Sequence, residues 1–266
     1  MNFDELRDTA LRAAQAASEA VFQNWRSAHF GAGPALYAEK TDLSPVTGID
    51  LLSHQVIART ILDAYPSHQI LSEEGPEVEH PEQAPFLWVI DPVDGTKNFI
   101  RGLPFFSIQI ALFCGNELTV GVSSAPALGE TAYAVRDAGA FLNGRRLRVS
   151  ETQSLDRAYV NHGSVRNFEL TGRSDQLSAL CRSTWTARGF GDSWSYHWLA
   201  NGALDVIVEA RTRIWDIAAV ALIVQEAGGW VSTLDGQRIG VNSTSILATN
   251  ERLHAPILKL FASPGP

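Results

Sequence analysis

The stretch Phe86-Leu87-Trp88-Val89-Ile90 runs directly into Asp91-Pro92-Val93-Asp94-Gly95-Thr96. Five consecutive apolar residues predict a buried strand. That strand meets two carboxylates three positions apart. Pro92 fixes one φ angle, and Gly95 lets the chain turn sharply behind them. A strand ending this way can aim both carboxylates, and the Val93 carbonyl between them, at one point. Oxygen-only donors suit Mg²⁺, a hard cation that keeps waters for a phosphate ligand. The same residues could instead form a turn in which Asp91 and Asp94 satisfy backbone amides.

Further acidic positions raise the same question elsewhere. Glu73 and Glu74 end another predicted strand, QILSEE, where a solvated acidic turn would read alike. Asp216 opens an apolar helix predicted over 215–228, a position where an aspartate caps the helix or complements its dipole. Asp50 stands three residues after Thr47 at the start of a helix predicted over about 47–65, which is a capping-box pattern. Asp192 follows a glycine turn before a predicted helix, SWSYHWLANG, so it reads as an N-cap or as a ligand group. Glu209 ends an apolar strand seven residues before Asp216.

Around these positions the chain alternates helices and strands. A helix is predicted over 3–26, a glycine-rich break over 31–34, and an extended piece at ALYAEK. Antiparallel strands follow at SIQIALF, LTVGVSSAP, TAYAV and FLNGRRLRV, with Asn143-Gly144 a hairpin signal. The second part reads as α/β, with strands at DRAYVNHG, ALDVIVEA, WVSTL and SILATN, and helices at SDQLSALCR, 215–228 and ERLHAPILKLF. With 266 residues the chain can be one large unit or two lobes. The division falls near 145–155, giving an N-terminal α+β half over 1–150 and a C-terminal α/β half over 151–266.

The 45% apolar content supports a sizeable core, and a formal charge of −8 disfavours a nucleic-acid partner, which needs clustered Lys and Arg. Cys114 and Cys181 offer neither a zinc pattern nor a disulfide framework. The amphipathic N-terminus lacks a signal-peptide pattern, and no apolar run approaches a membrane span. A soluble cytoplasmic protein with no membrane partner is the expectation.

Taken together, SPVTGID, SEE, IDPVDGTKNF and WDIAAVALIVQEAGG resemble, in order and over nearly the whole chain, the inositol monophosphatase-like family of Mg²⁺-dependent phosphatases. The pairing of DPxDGT with a downstream WD…EAGG carries the likeness. The resemblance implies a layered α-β-α-β-α sandwich of the sugar phosphatase type, two or three Mg²⁺ ions, a small phosphate ester as substrate, and a homodimer. It implies that Glu73, Asp91 and the Val93 carbonyl bind a first Mg²⁺, and that Asp91, Asp94 and Asp216 bind a second. Gly95 and Thr96 would offer amides to the phosphate, Thr96 and Asp50 would orient and help deprotonate the attacking water, and Glu74 would support the shell. Glu73 and Asp94 thereby count among the catalytic groups. No histidine is required, and His54, His162 and His197 are assigned to surface or packing.

For the substrate, Lys97 with NFIRGLPFF, and the segment RGFGDSWSY, resemble the histidinol-phosphate phosphatase branch. Asp192, Glu209, Arg188, Asp216, Gly95 and Thr96 form the expected substrate set, and two carboxylates suit a cationic leaving alcohol. Inositol 1-phosphate is an alternative, because Glu209 would also accept a polyol. A 3′(2′),5′-bisphosphate nucleotidase is another, with Arg101 and Arg188 for the second phosphate. A catalytically silent interaction protein on the same fold would lack a metal ligand or the water-activating pair, and all of these residues are present.

Overall fold

The computed structural model describes residues 2–30, 37–39 and 45–262. Helix α1 (Phe3–Phe30) buries Leu6, Ala10, Ala13, Ala17 and Val21, the apolar stripe read from the sequence, and runs four residues beyond the expected end. Strands β1 (Tyr37–Glu39) and β2 (Pro45–Thr47) form a small antiparallel pair. The predicted glycine-rich break at 31–34 lies outside the described residues. Thr47 then caps α2 (Gly48–Ala64), which Tyr65 and Pro66 end.

A seven-stranded sheet follows, in the order β3-β4-β5-β6-β7-β8-β9. Its strands are β3 (Gln69–Ser72), β4 (Phe86–Asp94), β5 (Ser107–Cys114), β6 (Glu117–Ala125), β7 (Glu130–Val135), β8 (Gly139–Leu142) and β9 (Arg145–Arg146). A short helix, α3 (Thr96–Ile100), leaves the end of β4. Only the β3–β4 pair is parallel. The Asn143-Gly144 hairpin forms as expected, with both residues at positive φ, 49° and 80°.

The chain passes to a second sheet between Arg146 and Tyr159. This sheet has the order β11-β10-β12-β14-β13. Its elements are β10 (Tyr159–His162), α4 (Val165–Leu170), α5 (Ser174–Ser183), β11 (Thr186–Arg188), α6 (Tyr196–Ala200), β12 (Val206–Ala210), α7 (Ile214–Glu226), β13 (Gly229–Ser232), β14 (Ser245–Asn250) and α8 (Glu251–Ala262). The predicted helix SWSYHWLANG shrinks to α6 behind a single 3₁₀ turn at Ser193–Ser195. The segment before it, STWTARGFGD, supplies β11, a strand the sequence pattern does not predict, which pairs in parallel with β10.

Three apolar clusters set the layers. Trp88, Ile90, Ile108 and Ile110 pack with α1 and α2 on one face of the large sheet. Leu87, Val89, Ala111 and Phe113 pack with α6 and α7 on the other. Ile207, Ile246 and Ala248 close on α7 from the second sheet. Val160, Val208 and Leu247, from its far face, pack with α4, α5 and α8. The result is the expected α-β-α-β-α sandwich. Helix α7 is apolar all round because sheets cover it on both sides. It comes so close to β6 that a Cβ at Gly121 would lie 2.6 Å from the Ala219 carbonyl oxygen. Among the described residues no helix is long and apolar enough to cross a membrane.

Candidate active site

Strand β4 keeps its alternation through Ile90 and then breaks it. Asp91 pairs with Gln109 and Asp94 with Ser107, so β4 holds one extra residue between them. This bulge re-aims the strand end. Asp91 Oδ1 accepts from the Val93 amide at 3.0 Å, and Ser53 Oγ donates to the Pro92 carbonyl at 2.9 Å. The turn reading is therefore correct as local geometry, but it occupies only part of the acceptor capacity. One oxygen from each of Asp91, Asp94 and Asp216 lies within 4.8 Å of the others. Glu73 joins the same cavity wall, placed beside β4 by its amide bond to the Ile90 carbonyl at 3.2 Å.

The helix-start aspartates serve two purposes each. Asp216 Oδ2 accepts from the Arg213 amide at 2.7 Å, which caps α7, while Asp216 also stands in the acidic cluster. Asp50 Oδ2 accepts from the Thr47 amide and hydroxyl, at 2.9 and 2.5 Å. Its other oxygen lies 3.4 Å from Thr96 Oγ1, whose shorter contact is to the Val93 carbonyl at 3.0 Å. Capping leaves the second oxygen of each carboxylate able to face the cavity residues, because a carboxylate has two oxygens.

The electrostatics follow from crowding acids in a poorly solvated place. Burial, then Glu73 and Asp94, push Asp91 well above the usual carboxylate range. Burial raises Asp94 to about 6 against the opposing Ser193 amide and hydroxyl. Burial and Asp94 hold Asp216 high, against the Arg213 amide. Burial also raises Asp50, opposed by its bonds from Thr47. A divalent cation relieves all of this strain at once, and the donors are hard oxygens. The residues present therefore fit Mg²⁺.

The cluster opens into a cavity of about 600 Å³. One side is Glu73, Asp91 and Val93 to Asn98, with Asp216. The other is His162 to Val165 and Gly189 to Asp192. Gly95 sits at φ 84°, and a Cβ there would meet the Phe105 carbonyl at 2.7 Å, so no other residue fits this turn. Asp192 is not a helix cap: its side chain makes no capping bond. Its Oδ2 accepts from Asn98 Nδ2 at 2.5 Å, and its backbone lies at φ 55°, ψ 160°, a region nearly reserved for glycine. The bonds from Ser195 to the Asp192 carbonyl, together with Asn98, hold it there.

Two expected substrate residues stand apart from this wall. Arg188 is exposed, and its guanidinium donates to the Ala187 carbonyl. As the last residue of a strand whose neighbour His162 takes the wall position, it does not line the cavity. Glu209 sits behind Gly163, where a Cβ would meet its Cγ at 3.0 Å, and accepts from Tyr196 Oη at 2.9 Å. Burial raises Glu209 to about 7. Arg101 is also outside the lining, and among the described residues Lys97 is the one Lys or Arg side chain within it.

The structure adds residues that the sequence reading passed over. Ser193 links the end of β4 to the start of α7, its amide donating to Asp94 Oδ2 at 2.6 Å and its hydroxyl to the Asp216 carbonyl at 2.6 Å. Asn98 positions Asp192. His162, assigned to surface or packing, stands in the cavity wall. The available signal was its place at the carboxyl end of a parallel strand, where such sheets bind ligands. His54 and His197 do pack: His54 Nδ1 meets Ser72 Oγ, and the fully buried His197 bridges Glu130 and Ser123.

Comparison with known proteins decides the lineage. The sequence model of the inositol monophosphatase family matches residues 2–263. The chain belongs to that family. It is 39% identical to a histidinol-phosphatase of Streptomyces coelicolor, over 82% of this chain and 84% of that one. It is 38% identical to a fructose-1,6-bisphosphatase/inositol-1-monophosphatase of Thermotoga maritima, over 81% of each. A Nus factor SuhB of Pseudomonas aeruginosa is 36% identical over 94% of this chain and 93% of its own. Among solved structures, the Thermotoga maritima IMPase superposes with a TM-score of 0.84 at 33% identity, covering 97% of this chain and 96% of that one. The protein is thus an inositol monophosphatase family phosphomonoesterase, and that family is generally Mg²⁺-dependent.

Proposed function

We propose that the protein hydrolyses L-histidinol phosphate to L-histidinol and phosphate in the presence of Mg²⁺. The observation that carries this reading is the Asp192 carboxylate, held in a strained turn in the cavity wall by Asn98. Among the described residues, Asp192 is the cavity carboxylate that remains once Glu73, Asp91, Asp94 and Asp216 are given to Mg²⁺. That remaining negative charge favours a cationic alcohol over a second phosphate beside it. The histidinol-phosphatase relatives support the same choice.

Glu73, Asp91, the Val93 carbonyl, Asp94 and Asp216 would hold Mg²⁺ ions. When bound, these polarise the phosphoryl oxygens and lower the pKa of the attacking water. The chain's own residues do the rest. The amides of Gly95 and Thr96 orient the phosphate. The Thr96 hydroxyl fixes the attacking water and passes a proton towards Asp50 Oδ1, which its buried, Thr47-bonded carboxylate can receive. Asp192 orients the amine-bearing alcohol, and Glu209 supports the wall from behind Gly163, where it accepts from Tyr196 Oη. In-line transfer needs little beyond this positioning and charge neutralisation.

Inositol 1-phosphate is the second reading, favoured by the several inositol monophosphatase relatives. A bisphosphate nucleotidase is disfavoured, since neither Arg101 nor Arg188 lines the cavity. Phosphate release from histidinol phosphate, inositol 1-phosphate, phosphoadenosine phosphate and fructose 1,6-bisphosphate, with Mg²⁺ and then with excess EDTA, tests the proposal. The expected result is highest kcat/KM for histidinol phosphate and no turnover in EDTA. A higher value for any other ester overturns the substrate.

A further inference from the structure

His162 ends β10 and lines the cavity. Its Nδ1 lies 2.8 Å from the Gly163 carbonyl oxygen. A carbonyl can only accept, so Nδ1 carries the ring hydrogen, and in the neutral ring Nε2 is an acceptor. Among the described residues Nε2 has no protein partner. The ring is held against Gly189, where a Cβ would lie 2.9 Å from Cε1 and 3.3 Å from Nδ1, so any other residue at 189 would displace it.

The neighbouring residue of the same strand sets the rest of this wall. Asn161 is fully buried, and its Oδ1 accepts from the amides of Phe190 and Gly191 at 2.8 and 3.4 Å. Its Nδ2 donates to Ser195 Oγ at 2.8 Å. Ser195 in turn donates to the Asp192 carbonyl. Strand β10 therefore fixes the His162 ring, the Phe190 backbone and the Asp192 turn as one unit. An oriented acceptor, an aromatic side chain and a carboxylate share one wall.

We propose that His162 is a specificity residue for the alcohol half of the substrate. Its Nε2 accepts a hydrogen bond from the ammonium group of an amino-alcohol phosphate, beside the Asp192 carboxylate. The inference rests on the cationic-alcohol reading above. A wall acceptor whose partner must donate, in the same wall as the Asp192 carboxylate, selects a donor that is also a cation. A neutral hydroxyl satisfies the imidazole but forgoes the charge-assisted bond to Asp192.

The test compares L-histidinol phosphate with its des-amino analogue, the same ester lacking the amine. His162→Asn keeps a donor near the Nδ1 position for the Gly163 carbonyl and removes the acceptor at Nε2. His162→Gln carries an oxygen near the Nε2 position. The kcat/KM ratio of the amine ester to the des-amino ester should fall about tenfold in His162→Asn, the scale of one hydrogen bond to a charged group. The change should lie mainly in KM, and His162→Gln should restore part of the ratio. A ratio that survives His162→Asn overturns the role of His162 and leaves the substrate reading standing. A wild-type protein that does not prefer the amine ester overturns the substrate reading, and this inference with it.

Discussion

The acidic wall takes Asp91, Val93, Asp94, Gly95 and Thr96, five of its residues, from six consecutive positions at one strand end, whereas the facing wall gathers His162, Phe190 and Asp192 from the ends of two strands and a strained turn. In the first, each residue has a local reason to be there: a bulge, a proline, a glycine at φ 84°. In the second, the reasons are tertiary. Asp192 occupies a glycine-like conformation that its own sequence neighbourhood would not choose, and Asn98 and Ser195 hold it from outside. Chemistry common to a family can be built into a short motif. Substrate choice is built from contacts between distant segments, which vary without disturbing that motif.

The sharpest way to break this comparison is to attack the acidic wall. Asp94→Asn and Asp216→Asn should each lower kcat/KM by ~10³-fold or more for every phosphate ester, since cation binding supplies several kcal/mol of charge stabilisation. Circular dichroism should show both variants folded. A loss confined to one substrate would mean that this wall also selects the alcohol.

A smaller effect should separate positioning from metal binding. Thr96→Ala should lower kcat by ~10²-fold, the size of a general-base contribution, with the Mg²⁺ concentration for half-activity nearly unchanged. Asp50→Asn should match it. If Asp50→Asn lowers only the melting temperature, Asp50 is a helix cap and nothing more.

The smallest effect is on stability. Asp94, raised from 3.8 to about 6, and Glu209, raised from 4.5 to about 7, bind more protons in the folded than in the unfolded state. Their contribution is present below about pH 4 and is lost as pH rises through 6 and 7. Asp91, Asp192 and Asp216 act in the same direction. The melting temperature of the EDTA-treated protein should therefore fall from pH 5 to pH 8, and saturating Mg²⁺ should reverse most of that fall. A metal-free melting temperature that rises over this range would contradict the repulsion among these carboxylates.

The contrast also explains what was legible in the sequence. The unbroken apolar run of β4 and an α7 too apolar to face water could be read directly as buried elements, while the layered order came from the family resemblance. Asp91 and Asp94 could be read together because motif residues adjacent in sequence stay adjacent in space, whereas Glu73 and Asp216 joined them only through the family resemblance. β11 was missed because three residues carry almost no periodicity. Arg188 and Glu209 were placed at the substrate by resemblance, yet register puts His162 in the wall beside β11 and Gly163 in front of Glu209. No pattern within SWSYHWLANG distinguishes a full helix from one 3₁₀ turn and five helical residues. That division depends on Ser193 reaching Asp94 and Asp216.

The most direct test of the central claim is the kcat/KM of wild type and Asp192→Asn, in Mg²⁺, for L-histidinol phosphate and inositol 1-phosphate side by side. The account predicts that wild type prefers histidinol phosphate. It also predicts that Asp192→Asn loses about tenfold to a hundredfold on that ester, the worth of a charge-assisted hydrogen bond, and far less on inositol 1-phosphate. Equal losses on both esters, or a wild-type preference for inositol 1-phosphate, would contradict it.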